Sequence, residues 1–179
     1  MHRVDPGHPV GGDLQAMDLL VAQGKVIYVG SGNFAGWHIA KRSQPVGRGL
    51  ARLRLRARLY NLDARTVELE VLPACLDYGP GVIHWNALGG SWVGVLDKMN
   101  EGRRGAGRVR RQVDANMAKL EAEESLCADI GHSPAHVALA WLLHNPAVTA
   151  PTIGPLTIEQ LDGAWLRWTS SSSLMSSTS

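Results

Sequence analysis

Four groups of residues in this 179-residue sequence are of types and spacings that could do chemistry. Gly30-x-Gly32-x-x-Ala35 follows an apolar run and precedes a helix-like stretch, an arrangement whose glycines let a pyrophosphate approach a helix amino terminus. The acidic residue that would hold a ribose about 20 positions further on is replaced by basic residues. The glycines also follow a helix instead of opening a domain, so alone they make a weak dinucleotide site. His132 and His136 have the i, i+4 spacing of a helical zinc pair, but Ser133-Pro134 stands where a metalloprotease needs glutamate and no third ligand stands out. A helix start explains them better. Lys41, Arg42, Arg48, Arg52, Arg54, Arg56 and Arg58 form a stretch without an acidic residue that could grip phosphates through unspecific charge. His2, alone, reads as a solvated terminal histidine.

The elements that must position these groups follow from periodicity. Leu14, Met17, Leu20 and Val21 recur at helical spacing from Asp13 to Gln23, Gly24 stops the helix, and Lys25 to Val29 reads as a buried strand. Residues 30–34 read as a loop and Ala35 to Arg42 as a helix. Thr66 is expected to cap a helix running through Asp77, and Gly79-Pro80-Gly81 leads into the strand Val82 to Trp85. Residues 89–107, rich in glycine and charge, read as a long loop that could serve as a lid or stay disordered. Asp114 to Ile130 forms a helix ended by Gly131, and Ser133-Pro134 opens the next. Val148 to Ile153 is the last strand, and a helix begins at Thr157. Alternating strands and helices imply a parallel α/β architecture. The alternating leucines and arginines from Arg52 onward do not suit a strand buried on both faces, so that strand is expected to be displaced or frayed.

Tyr28-Val-Gly-Ser-Gly-Asn-Phe34, with Gln23-Gly-Lys25 before it and Gly36-Trp37 after it, resembles the aldo-keto reductase pattern GKxxYxGxSNFxxW. Leu59-Tyr-Asn61, Glu70-Val-Leu-Pro73, Tyr78-Gly79, Gly81-Val-Ile83, Trp85 with Leu88-Gly-Gly90, Ala138-Leu-Ala-Trp141, Val148-Thr-Ala-Pro151, Ile153-Gly154 and Glu159-Gln-Leu161 continue it in order. The resemblance runs from the family's fourth strand to its eighth helix. It implies a partial TIM (β/α)8 barrel, roughly strands 5–8 with their helices, over residues 1–168, followed by a disordered serine-rich tail at 169–179. The arginine stretch and the tail interrupt the resemblance abruptly and read as out-of-register translation.

The family reduces aldehydes and ketones with NADPH, less often NADH, using an Asp, Tyr, Lys and His tetrad in which tyrosine is the general acid. The resemblance makes His2 the tetrad histidine and implies that the Asp, Tyr and Lys lie before Met1. It makes Ser31, Asn33, Trp85, Leu88, Gly154, Thr157 and Gln160 cofactor contacts: Asn33 on the nicotinamide carboxamide, Trp85 stacked on its ring, and Gly154, Thr157 and Gln160 at the adenosine phosphate. Without the resemblance Asn33 suits a left-handed turn, Trp85 the core and Gln160 the surface. Gly32 replaces the pattern's serine, Ala57 its glutamine and Leu156 an arginine, so binding is expected to be weak and to discriminate poorly between NADPH and NADH.

A net charge of +2 is too mild to imply a nucleic-acid partner, and no stretch reaches the ~18 to 20 apolar residues of a membrane span. Cys75 and Cys127 have no CxxC partner and read as reduced core thiols. A soluble cytoplasmic protein acting on a small-molecule carbonyl substrate is expected. A chain with only half a barrel's strands is also expected to self-associate through its open sheet edges, or to act only by pairing with another half-barrel.

Overall fold

A computed structural model describes residues 2, 10–43, 53–89, 111, 113–162 and 164. The chain divides into two compact units: Met1–Tyr60, Ala64–Trp85 and Asn145–Thr152 form the first, and Asn61–Asp63, Asn86–His144 and Ile153–Ser179 the second. The segment 169–179 and nearly all of 89–107 lie outside the described residues.

The first unit is built on a sheet of four parallel strands: β1 (Val29–Gly32), β2 (Leu53–Leu59), β3 (Gly81–Trp85) and β4 (Ala150–Pro151), in that spatial order. Helices α1 (Val10–Ala22), α2 (Gly36–Ser43) and α3 (Val71–Tyr78) belong to it. Parallel strands in sequential order joined by helices are the repeating unit of a (β/α) barrel, which agrees with a partial barrel. The core of this unit contains Phe34, Ile39, Val71, Leu72, Cys75 and Val82, and both Cys75 and Cys127 are free thiols in buried positions. The second unit holds α4 (Met117–Asp129) and α5 (Pro134–His144), which bury Leu120, Cys127, Ala138, Leu139 and Leu142.

Helix ends follow local chemistry. Gly24 (φ 69) closes α1 with Lys25 N–H on the Leu20 carbonyl and Gly24 N–H on that of Val21, and Gly131 (φ 70) closes α4 in the same way through Cys127 and Ala128. Gly79 (φ 81) ends α3 with one bond to the Cys75 carbonyl.

Five expectations need correction. The first strand lies at Val29–Gly32, not Lys25–Val29, because the Lys25 and Val26 amides both return to the Leu20 carbonyl and delay the extended chain. Ile27 and Tyr28 are left exposed as a result. Residues 30–32 are strand instead of loop, since a Cβ on Gly30 would lie 3.1 Å from the Leu55 carbonyl and glycine permits that approach. Thr66 opens a 3-10 turn, Thr66–Glu68, and caps nothing, while α3 starts only at Val71. Residues 53–59 are neither displaced nor frayed. They form a central strand paired to β1 on one side and β3 on the other, and backbone pairing in both ladders carries the arginines in.

The last strand is shorter than the expected Val148 to Ile153. Pro151 has no N–H to give, so Thr149 N–H on the Val82 carbonyl (2.8 Å) and Thr152 N–H on that of His84 (2.6 Å) bond β3 from either side of it.

Candidate functional site

Because the strands are parallel, their carboxyl ends fall at one edge of the first unit, the edge at which α/β barrels carry their chemistry. Asn33 follows β1 directly, in a left-handed conformation (φ 50), and its N–H donates to the Ala57 carbonyl at 3.1 Å. Trp85 is the last residue of β3, 40% exposed, and Asn86 after it is again left-handed (φ 60). Asparagine tolerates that region better than other side chains, which lets both strands end in abrupt turns.

His2 belongs to this edge. A Cβ on Gly32 would lie 2.9 Å from the His2 carbonyl oxygen and 3.4 Å from its ring Cδ2, so the terminal histidine occupies the space the pattern's serine would need. The structure therefore brings His2 against Gly32, the residue before Asn33, with His2 exposed and Asn33 half-exposed.

Ser31 is a different case. It is buried, and its hydroxyl accepts a hydrogen bond from Arg56 Nη1, so it is committed to the core. Leu88, Gly154, Thr157 and Gln160 belong to the second unit. Leu88 sits in a turn after β3, and a Cβ on Gly154 would meet nothing within 4 Å. Thr157 Oγ1 accepts from Gln160 N–H at 3.3 Å, and Gln160 Oε1 accepts from Leu156 N–H at 2.7 Å. This pair forms a reciprocal capping arrangement at a helix start, whose remaining amides are the donors an oxyanion could use.

The electrostatics distinguish the buried groups. Burial holds the imidazole of His84, packed 4.7 Å from the Tyr60 ring, down to about 4, with the Arg58 backbone opposing, so it is neutral at physiological pH. The Tyr60 phenol donates to Glu68 Oε1 (2.7 Å) and accepts from Asn145 Nδ2 (3.2 Å). Burial first, and then that bond to Glu68, push it up to about 12. A proton held so firmly is not available for general acid chemistry at neutral pH. His132 and His136 lie at the start of α5, and among the described residues no group of three or more His, Cys, Asp or Glu could hold a metal. None of the described helices is long and apolar enough to cross a membrane.

One positioning contact has no sequence signal. Glu70 Oε1 accepts the Trp37 N–H at 2.6 Å, capping α2 from a residue 33 positions away. A Cβ on Gly36 would lie 2.5 Å from Glu70 Cγ, so glycine is what lets the carboxylate reach. The cap fixes where α2 begins, and with it the short link from Asn33.

Comparison with known proteins places the sequence. The model of the aldo/keto reductase family matches residues 1–165. An uncharacterized oxidoreductase, YrpG, of Bacillus subtilis is 42% identical over 163 residues, which is 90% of this chain and 50% of that protein. The norsolorinic acid reductase stcV of Emericella nidulans is 30% identical, covering 83% of this chain and 38% of the relative. The versiconal hemiacetal acetate reductase of Aspergillus parasiticus is 28% identical, covering 92% and 50%. The chain thus spans about half the length, or less, of these curated relatives.

Proposed function

Because the chain belongs to the aldo/keto reductase family, we propose that it carries the nicotinamide side of a reductase that converts aldehydes or ketones to alcohols with NAD(P)H, the cofactor pair the family uses. The observation that carries this reading is the contact of His2 with Gly32, next to the left-handed Asn33, at the carboxyl edge of a parallel sheet.

The residues present fit a dinucleotide at several points. Asn33 offers a half-exposed amide for the carboxamide, and Trp85 a ring with open surface at the same edge. The second unit, taken by itself, has a helix start capped by Thr157 and Gln160 whose amides suit phosphate oxygens, with free space at Gly154. Ser31 supports the site only from beneath, through the core. When bound, the cofactor supplies a hydride to the carbonyl carbon. The task of His2 is to orient the carbonyl oxygen, and the proton that oxygen gains comes from a tyrosine of the tetrad, whose motif is not among these 179 residues. We therefore assign the isolated chain a rate roughly 10²- to 10⁴-fold below that of a reductase with its positioned acid.

A second reading rests on the sheet, whose four strands among the described residues are half the number that closes a (β/α)8 barrel. Under it the chain is a half-barrel that associates with another chain through its outer strands and has no activity of its own. Following NADPH oxidation with a reactive aldehyde, beside size-exclusion chromatography, separates the two. Slow, heat-labile turnover lowered by His2→Ala supports reduction. Zero turnover from a well-folded oligomer favours the half-barrel.

A further inference from the structure

Arg56 is the largest side chain among those fully buried, at 1% exposure, and it sits on the central strand. Its Nη1 donates to the Ser31 hydroxyl, and its guanidinium carbon lies 5.9 Å from the centre of the Phe34 ring. Among the described residues Nε and Nη2 are buried without an acceptor, and so is Nε of Arg58, two residues along the same strand. Neighbours at i and i+2 share a sheet face, so both cations point to the same side, where the Cys75 thiol of α3 lies within the field of both.

Among the described residues no carboxylate acts on Arg56, and Glu70 is the one carboxylate that acts on Arg58. Burial pushes the Arg56 guanidinium down to about 10, which still leaves it charged at neutral pH, and burial likewise lowers that of Arg58. Among the described residues the charges acting on Arg56 are Cys75 and Arg58, with no carboxylate. Glu70 acts on Arg58, but its Oε1 is already taken by the Trp37 N–H. Burial also raises the Cys75 thiol, so it is no counter-ion at neutral pH. A buried cation with unmet donors is costly, and a bound acceptor relieves both charge and donors.

We propose that Arg56, with Arg58 and Ser31, forms an internal site for a small inorganic monovalent anion of chloride size, held beneath α3 by guanidinium N–H groups. The near-complete enclosure of Arg56 excludes an organic phosphate or a nucleotide, whose remainder would have to reach solvent. The ion would act as a structural counter-charge that keeps β2 seated between β1 and β3. The inference stands apart from the carbonyl-reduction reading and does not depend on it.

The test uses the whole chain and chloride, exchanged against gluconate at constant ionic strength. Thermal unfolding midpoints and chloride-35 NMR line widths are the two readouts. The wild type should show a midpoint that rises and saturates with chloride, together with line broadening that unlabelled iodide competes away. Ser31→Ala should weaken the apparent affinity about tenfold or less, the scale of one hydrogen bond. Arg56→Met should fold, because exchanging a buried guanidinium for an apolar chain of similar length is often neutral or stabilising, and should lose both the saturation and the broadening. Identical responses of the wild type and Arg56→Met, or a wild-type response that rises without saturating and carries no broadening, would overturn the proposal. If Arg56→Met fails to fold, an unweakened response of Ser31→Ala overturns it and a weakened one upholds it.

Discussion

Replacing Gly36 by alanine reverses an ordinary expectation. Glycine in a helix is normally worse than alanine by roughly 0.5–1 kcal/mol, so the change should stabilise α2. Here the added Cβ would fall 2.5 Å from Glu70 Cγ and 2.8 Å from Oε1. Glu70 is exposed and can swing away, but doing so breaks the 2.6 Å bond to the Trp37 N–H. Losing a helix cap costs about 1 kcal/mol, and losing a carboxylate at a helix amino terminus costs a further ~0.3–1 kcal/mol. The net result is destabilisation by about 0.5–1 kcal/mol. Glu70→Ala alone should cost about 1–2 kcal/mol on the same terms. In that background Gly36→Ala should turn stabilising, leaving a coupling energy of about 1–2 kcal/mol between the two sites. Urea unfolding of the four proteins, with unchanged m-values, measures it. Stabilisation by Gly36→Ala in both backgrounds, additive within about 0.3 kcal/mol, refutes the capping argument.

Other consequences are as specific. His84 is held well below its ordinary 6.5, so the unfolded chain takes up the proton first. Stability is therefore full above pH 6.5 and falls as pH drops toward about 4, at up to about 1.4 kcal/mol per pH unit, and His84→Leu should flatten the curve between pH 6.5 and 5. Glu68 lies below its usual 4.5, so its contribution is lost only at lower pH and does not obscure that window. Asn33→Gly should keep stability and weaken NADPH binding, whereas Asn33→Ala should weaken binding and also cost about 1 kcal/mol for its φ of 50°, as thermal unfolding and cofactor titration will show. Tyr60→Phe removes the phenol's bonds to Glu68, which keeps Arg65 as partner, and to Asn145, and should cost about 1 kcal/mol in urea unfolding.

Much of the fold was legible because its signals are local. The stops at Gly24 and Gly131, the start at Pro134 and the strand through Trp85 each follow from a few adjacent residues. The position of β1 was not, since the turn after α1 holds the amides of Lys25 and Val26, and an apolar run such as Val26-Ile27-Tyr28 looks the same in or out of a sheet. The seating of Arg56 was missed because its cost was legible and its partners, Ser31 and Phe34, lie on other segments. The Glu70 cap spans 33 positions and leaves no periodic trace. At the site, Asn33 and Trp85 were legible as matches to a pattern. Thr157 and Gln160 show the three-residue spacing of a capping pair, which is the role their hydrogen bonds display.

We propose that the carboxyl edge of this sheet holds a nicotinamide dinucleotide through Asn33 and Trp85. Titrating the chain with NADPH and with NADH, followed by tryptophan and nicotinamide fluorescence, tests it most directly. Weak, saturable binding of both cofactors with little preference, reduced about tenfold in Asn33→Gly, is the predicted result. Tight binding selective for NADPH, or binding untouched by Asn33→Gly, would contradict it.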